Sequence, residues 1–162
     1  MRVVWFVALL LLVMAAVLLL AGQLGMLKGT APSDLGVKDG RLKPPAQTPN
    51  SVSSQANLYA DHPQAQYAAI PPLNYQGDGK AAMARLVGVV QAQPGTVIVS
   101  QTDTYIYAQS TSRLLRFTDD VEFWLDLPSQ TIHVRSASRI GRKDFGVNRQ
   151  RIETIRAQFN YD

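Results

Sequence analysis

The chain divides by the spacing of its apolar positions. From position 3 to 22, in VVWFVALLLLVMAAVLLLAG, no charged or strongly polar side chain interrupts the run. A helix rises ~1.5 Å per residue and a bilayer core is ~30 Å thick, so roughly twenty such residues span it. A secretory signal peptide has a shorter apolar region, ~7–15 residues, closed by a small-x-small site. Here Leu19 and Leu20 precede Ala21 and Gly22, and Gln23 stands where a lipoprotein signal needs cysteine. The pattern predicts an uncleaved transmembrane anchor over 1–27, with Trp5 near one interface.

Between 28 and 76 the periodicity disappears. Seven of the nine prolines lie from Pro32 to Pro72. Proline fixes its own φ, removes a donor and extends the residue before it, so no long helix or central strand is expected. The segment reads as a tether. Leu35, Val37, Leu42, Tyr59, Tyr67, Ile70 and Tyr75 are too apolar for a purely solvated linker, so its later part is expected to dock on the folded domain.

The domain itself is expected over 77–162. Ala82, Met83, Leu86, Val87 and Val90 recur at three and four behind an N-cap candidate, Asp78, and Pro94-Gly95 stops that helix. TVIVSQTDTYIYAQST then reads as two short strands broken near Gln101 to Asp103. In DVEFWLDLPSQTIHVRS, Val121, Phe123, Leu125 and Leu127 share one parity and Asp120, Glu122, Trp124 and Asp126 the other. Ile132 and Val134 alternate likewise against His133 and Arg135, which predicts a hairpin with one buried face. Last, Asn148 can cap a helix striped by Ile152, Ile155 and Phe159. The fold class is α+β: an antiparallel sheet of about four strands with a helix before and after it, behind an N-terminal transmembrane helix.

At 162 residues one domain is the default, and the absence of cysteine excludes disulfides, thiolate metal sites and cysteine nucleophiles. Sixteen Lys and Arg against twelve Asp and Glu leave a net charge of +4, and most of the arginines fall in the last third of the chain. Guanidinium is a planar fork of donors suited to carboxylate and phosphate. From Arg113 to Arg156 nine basic side chains face six acidic ones. If the hairpin polar parities face the same way, Glu122 and Asp126 lie near His133 and Arg135, and cross-strand pairs absorb much of the charge. Balancing the acids is the expected role of Arg113, Arg116 and Arg156.

A sharper expectation attaches to Arg135, Ser136, Ser138, Arg139, Arg142 and Arg149. They combine guanidinium donors, small hydroxyls and the nearby start of the last helix, which points free amides outward, into an anion pocket for a carboxylate, phosphate or lipid headgroup. Alanine at Arg135 and Arg139 is expected to abolish binding without unfolding. No metal or other cofactor is expected: Asp119 and Asp120 point to opposite faces of a strand, and His62 and His133 lack ligand spacing. There is no GxSxG and no phosphate-binding glycine loop. The modest charge excess and the anchor argue against nucleic acid.

TSRLLRFTDDVEFWLD from Thr111, HVRSASRIGRKDFGVNRQRIE from His133, LGVKDGRLKPP and TPNSVSSQA together resemble the bacterial and plastid proteins grouped as domain of unknown function family 1499. The resemblance runs roughly from Pro32 to Phe159. It implies a small, single-domain, exported or membrane-tethered protein and carries over no catalytic residue. Ser51 stands where many relatives have cysteine, which disfavours cysteine chemistry as a shared function. Lys28, Lys38, Arg41 and Lys43 after the anchor, against Arg2 before it, lean by charge towards a cytoplasmic domain. The signal-like layout and the resemblance lean the other way, and the expectation is a single-pass inner-membrane protein with a periplasmic domain. The expected function is a non-enzymatic binding or accessory domain that takes an anionic metabolite, lipid headgroup or protein partner at the membrane. The alternative is a hydrolase or lipid-modifying enzyme using Asp119, Asp120 or His133.

Overall fold

A computed structural model describes residues 1–161; Asp162, the last residue of the expected domain, lies outside them. Helix α1 is Arg2–Gln23, 22 residues with mean hydropathy 3.2 in its most apolar window and no burial there. It is long and apolar enough to cross a membrane, the test that a signal sequence also passes. Its last turn meets the folded body: Gly22 is buried, and a Cβ there would stand 2.6 Å from the Leu115 carbonyl oxygen.

The body is one antiparallel sheet backed by two helices. Strands β1 (Ser51–Ser53), β2 (Leu73–Asn74), β3 (Thr96–Gln101), β4 (Tyr105–Thr111), β5 (Thr118–Asp126) and β6 (Thr131–Ser138) run in the order β1-β6-β5-β4-β3, with β2 also paired to β6. The sheet therefore has six strands, not about four. The two extra strands come from the proline-rich stretch, have three and two residues, and take their positions from β6, pairing with Arg135–Ala137 and with Thr131–Ile132. Proline is tolerated beside such edge strands because their outer backbone groups need no partner in the sheet. A one-turn helix α2 (Ala65–Ala68) lies between them.

Helices α3 (Gly79–Gln91) and α4 (Val147–Tyr161) pack on one face of the sheet. Asp78 caps α3 as expected, its carboxylate accepting from the Ala81 amide at 2.7 Å. Leu86, Val90, Ile152, Ile155 and Phe159 meet Ile106, Val121, Phe123, Leu125, Ile132 and Val134 in the core, and Val52, Ile70 and Leu73 of the proline-rich stretch join them. Burial of such side chains contributes about 1.5–3 kcal/mol each. Helix α4 starts one residue before Asn148, and the capping role passes to Asp144, whose carboxylate accepts from the amides of Gly146 (3.1 Å) and Asn148 (3.2 Å).

The hairpin has two buried faces instead of one. Residues 34–47 strap across the polar parity, leaving Asp120 1% and Glu122 0% exposed. The strap is fixed by Gly36, whose amide donates to Glu122 Oε1 at 2.8 Å, and by Leu42, whose amide donates to Gln55 Oε1 at 2.7 Å. Ser51, at 1% exposure, accepts from the Ala46 amide at 2.8 Å.

Candidate functional site

The register of β5 on β6 sets Glu122 opposite Arg135 and Trp124 opposite His133. Because alternate residues point to opposite faces, the strap side of the sheet collects Tyr105, Tyr107, Asp120, Glu122, Arg135 and, just beyond β6, Arg139. These form two layers of the same design. In one, Glu122 accepts from Tyr105 Oη at 2.7 Å and from Arg135 Nη1 at 3.4 Å. In the other, Asp120 accepts from Tyr107 Oη at 2.6 Å and, in a forked contact, from Arg139 Nη2 at 2.7 Å and Nε at 3.0 Å. The hydrogen bonds to Asp120 hold the Arg139 guanidinium more firmly protonated than usual. Burial, then the neighbouring carboxylates, push both tyrosine phenols up, so both remain donors. Asp119 faces the opposite way and pairs with Arg151 Nη2 at 2.6 Å. Three arginines of the last third, Arg135, Arg139 and Arg151, thus face the acids of β5 inside the fold.

Arg135, Ser138 and Arg139 share a cleft of about 520 Å³ beneath the strap, with Thr30, Lys43 and Gln47 on its other wall. The remaining expected site residues lie elsewhere. Ser136 is buried on the helix side, donating to Asn148 Oδ1. Arg149 donates to the Ala69 carbonyl at 2.9 Å and to that of Tyr67, and Arg142 is exposed in the loop before α4. The start of α4 lies on the face away from this cleft, so its dipole does not serve the cleft. Arg156 donates to the carbonyls of Pro71 and Pro72 as well as to Glu153, whereas Arg113 and Arg116 form no ion pair among the described residues.

Burial of Arg135 and Arg139 against carboxylates changes one expectation. Alanine at these positions would leave Glu122 and Asp120 buried without a counter-charge, so it disturbs the fold together with any ligand. Lys43, a third exposed and held among the described residues by Asp34 at 2.6 Å, is the side chain whose replacement tests the cleft without orphaning a buried charge. Sequence reasoning missed Lys43 because it stands in a stretch that reads as tether. It also missed the tyrosines, although Tyr105 and Tyr107 share a parity in β4.

The residues of the enzymatic alternative do not converge. Asp119 and Asp120 occupy opposite faces, each engaged by its own arginine. His133 stacks on Trp124 with ring centroids 5.3 Å apart. Its Nδ1 lies 3.1 Å from Ser54 Oγ and its Nε2 3.7 Å from Asp126 Oδ2. Serine, histidine and aspartate in line suggest a nucleophile, but Ser54 Oγ already accepts the Val134 amide at 2.9 Å, and 3.7 Å is too long for a hydrogen bond that would orient the ring.

Two partly buried groups shape the acid response. Burial lowers the His133 pKa from 6.5 against the opposing pull of Asp126. Burial raises Asp144, but hydrogen bonds from Tyr67, Asn148 and the backbone amides outweigh it, and its carboxyl sits below 3.8. In both cases the unfolded chain binds more protons, so stability rises with pH through the window between folded and unfolded pKa. Between neutral and acid pH, stability is therefore expected to be full above about pH 6.5, to fall first as unfolded His133 protonates, and to fall again below about pH 4 as Asp144 does. Urea midpoints of wild type and His133→Gln across that range check this: the variant should lose the upper step alone.

The family model described as a protein of unknown function, DUF1499, matches residues 41–159, which covers the sheet, α3, α4 as far as Phe159 and the second half of the strap. No curated protein and no solved structure matches. With the two long motifs supplying, respectively, the acids of β5 and the arginines that meet them, the chain belongs to the DUF1499 family of proteins of unknown function.

Proposed function

We propose that this protein is a membrane-anchored, non-enzymatic binding domain that takes a small carboxylate- or phosphate-bearing molecule in the cleft beneath the strap. The observation that carries the reading is the convergence there of Lys43 with Arg135 and Arg139. Arg139 uses Nε and Nη2, and Arg135 uses Nε and Nη1, for partners among the described residues. The second amino group of each guanidinium is left for a ligand. The cleft carries a small charge excess, Lys43, Arg135 and Arg139 against Asp34 and Asp120. Recognition would therefore come from the directed fork of donors more than from net charge.

Inorganic phosphate titrated into the full-length protein in mild detergent, followed by the arginine side-chain N–H resonances, tests this. Arg135 and Arg139 should shift saturably, and Lys43→Ala should weaken binding about tenfold, the loss of one charge-assisted contact. Unchanged resonances at both arginines would contradict the reading. The anchor is proposed to be retained, with the domain on the periplasmic side of the inner membrane. Carboxy-terminal reporter fusions active on only one side of the membrane check the orientation, and activity of the cytoplasmic reporter sinks it. A protein partner on the same domain remains a variant of this reading and would appear as a co-purifying subunit.

A further inference from the structure

Two loops and the anchor meet at one end of the sheet. The β4–β5 loop (112–117) and the loop between β6 and α4 (139–146) both emerge there, because β4 and β6 end where β5 begins. Helix α1 arrives at the same place. Gln23 Nε2 donates to the Leu114 carbonyl at 3.0 Å, and a Cβ on Gly29 would meet Arg139 Cβ and Ile140 Cγ2 at 2.8 Å. Only residues 24–28 separate the end of the anchor from that second contact, too few to let the domain swing away.

This end exposes large apolar side chains: Leu114 at 67%, Phe117 at 38%, Ile140 at 37% and Phe145 at 92%. Phe145 is held outward by a left-handed backbone, φ 53°, that favours glycine over an aromatic residue. Lys28, Arg113, Arg116 and Arg142 are exposed around them and form no ion pair among the described residues. The acids at this end are spent internally, Asp119 on Arg151 and Asp144 on Tyr67 and the start of α4. Between the β4–β5 loop and α4 lies an open cleft of about 630 Å³ lined by Arg113, Arg116 and the hydroxyls of Thr96, Ser110 and Ser112.

We infer that this end lies on an anionic lipid bilayer, with Leu114 and Phe145 entering the interface and a phospholipid headgroup phosphate held between Arg113 and Arg116. The inference rests on α1 being a retained anchor. Apolar side chains beside unpaired cations match a surface that is greasy below and anionic at headgroup level. The contact of α1 with the same loop makes the surface continuous with the anchor.

The chain has no cysteine, so single nitroxide labels can be placed cleanly in the full-length protein. Four positions serve: Leu114→Cys and Phe145→Cys on the surface, Val13→Cys in the anchor, and Asp103→Cys at the far end of the sheet. Each is reconstituted into vesicles of phosphatidylcholine alone and of phosphatidylcholine with phosphatidylglycerol, and its accessibility to oxygen is compared with that to a nickel chelate. The inference expects Val13 to favour oxygen in both vesicles. Leu114 and Phe145 should shift towards oxygen when phosphatidylglycerol is present, and Arg113→Gln with Arg116→Gln should remove that shift. Labels as open to nickel as the one at Asp103, with Val13 inserted, overturn the surface and spare the anchor. An equal shift in both vesicles overturns the headgroup recognition. Shielding from both reagents marks a protein partner and overturns the bilayer contact, and a nickel-accessible Val13 overturns the anchor itself.

Discussion

Arg139→Ala is expected to cost about 3–5 kcal/mol of folding stability, because it leaves the Asp120 carboxylate buried beneath the strap with no counter-charge. Asp120 is 1% exposed and takes both arms of its fork from Arg139. The cost belongs to the orphaned charge more than to the pair. Asp120→Ala combined with Arg139→Ala should therefore be less destabilised than the sum of the two single variants, since no unpaired charge remains. Arg135→Ala acts on the adjacent layer, where Glu122 is 0% exposed, and should behave in the same way. Denaturant unfolding of the four proteins in mild detergent closes the cycle. Single losses below about 1 kcal/mol that add without coupling would show that these pairs behave as solvated surface contacts.

Asn148→Ala should cost roughly 3 kcal/mol, through groups it leaves buried without partners. Asn148 is 0% exposed. Its amide nitrogen donates to the Asn50 carbonyl (3.1 Å), Ser138 Oγ (2.9 Å) and Asp144 Oδ2 (2.9 Å), and its oxygen accepts from Ser136 Oγ and from Arg151 Nη1 at 2.8 Å. One side chain thereby ties the start of α4 to β6 and to the residue that precedes β1. Asn148→Asp keeps the oxygen but loses the donors, so it should be nearly as damaging as alanine at neutral pH. A loss under about 1 kcal/mol for Asn148→Ala would mean that water replaces the amide and that the hub is not structural.

Helix α3, the β5–β6 hairpin and the stripe of α4 could be read in the sequence because each carries a long, regular period. Strands β1 and β2 could not, since three and two residues carry no period and their register belongs to β6. The pairing of Glu122 with Arg135 followed from parity. What parity leaves open is what covers a face: a row of Asp, Glu and Arg reads as solvent-facing, and only the strap, an aperiodic stretch, turns it into an interior. The same blindness hid Lys43, which is a cleft residue only once the strap is folded over the sheet. Arg113 and Arg116 were expected to balance acids, yet the acids nearest them in sequence, Asp119 and Asp120, are taken by Arg151 and Arg139. Charge counting along a chain cannot see that allocation, because it depends on which side of β5 each carboxylate faces.

The proposed function requires that the cleft between Lys43, Arg135 and Arg139 hold a ligand where the protein works. Native mass spectrometry of the full-length protein, gently extracted from its own membranes and set beside Lys43→Ala, tests it most directly. The wild type is expected to carry a stoichiometric small acidic companion that is depleted on the variant while both remain equally folded. A bare protein in both preparations would contradict it, and would leave those arginines as the internal counter-charges of β5 and nothing more.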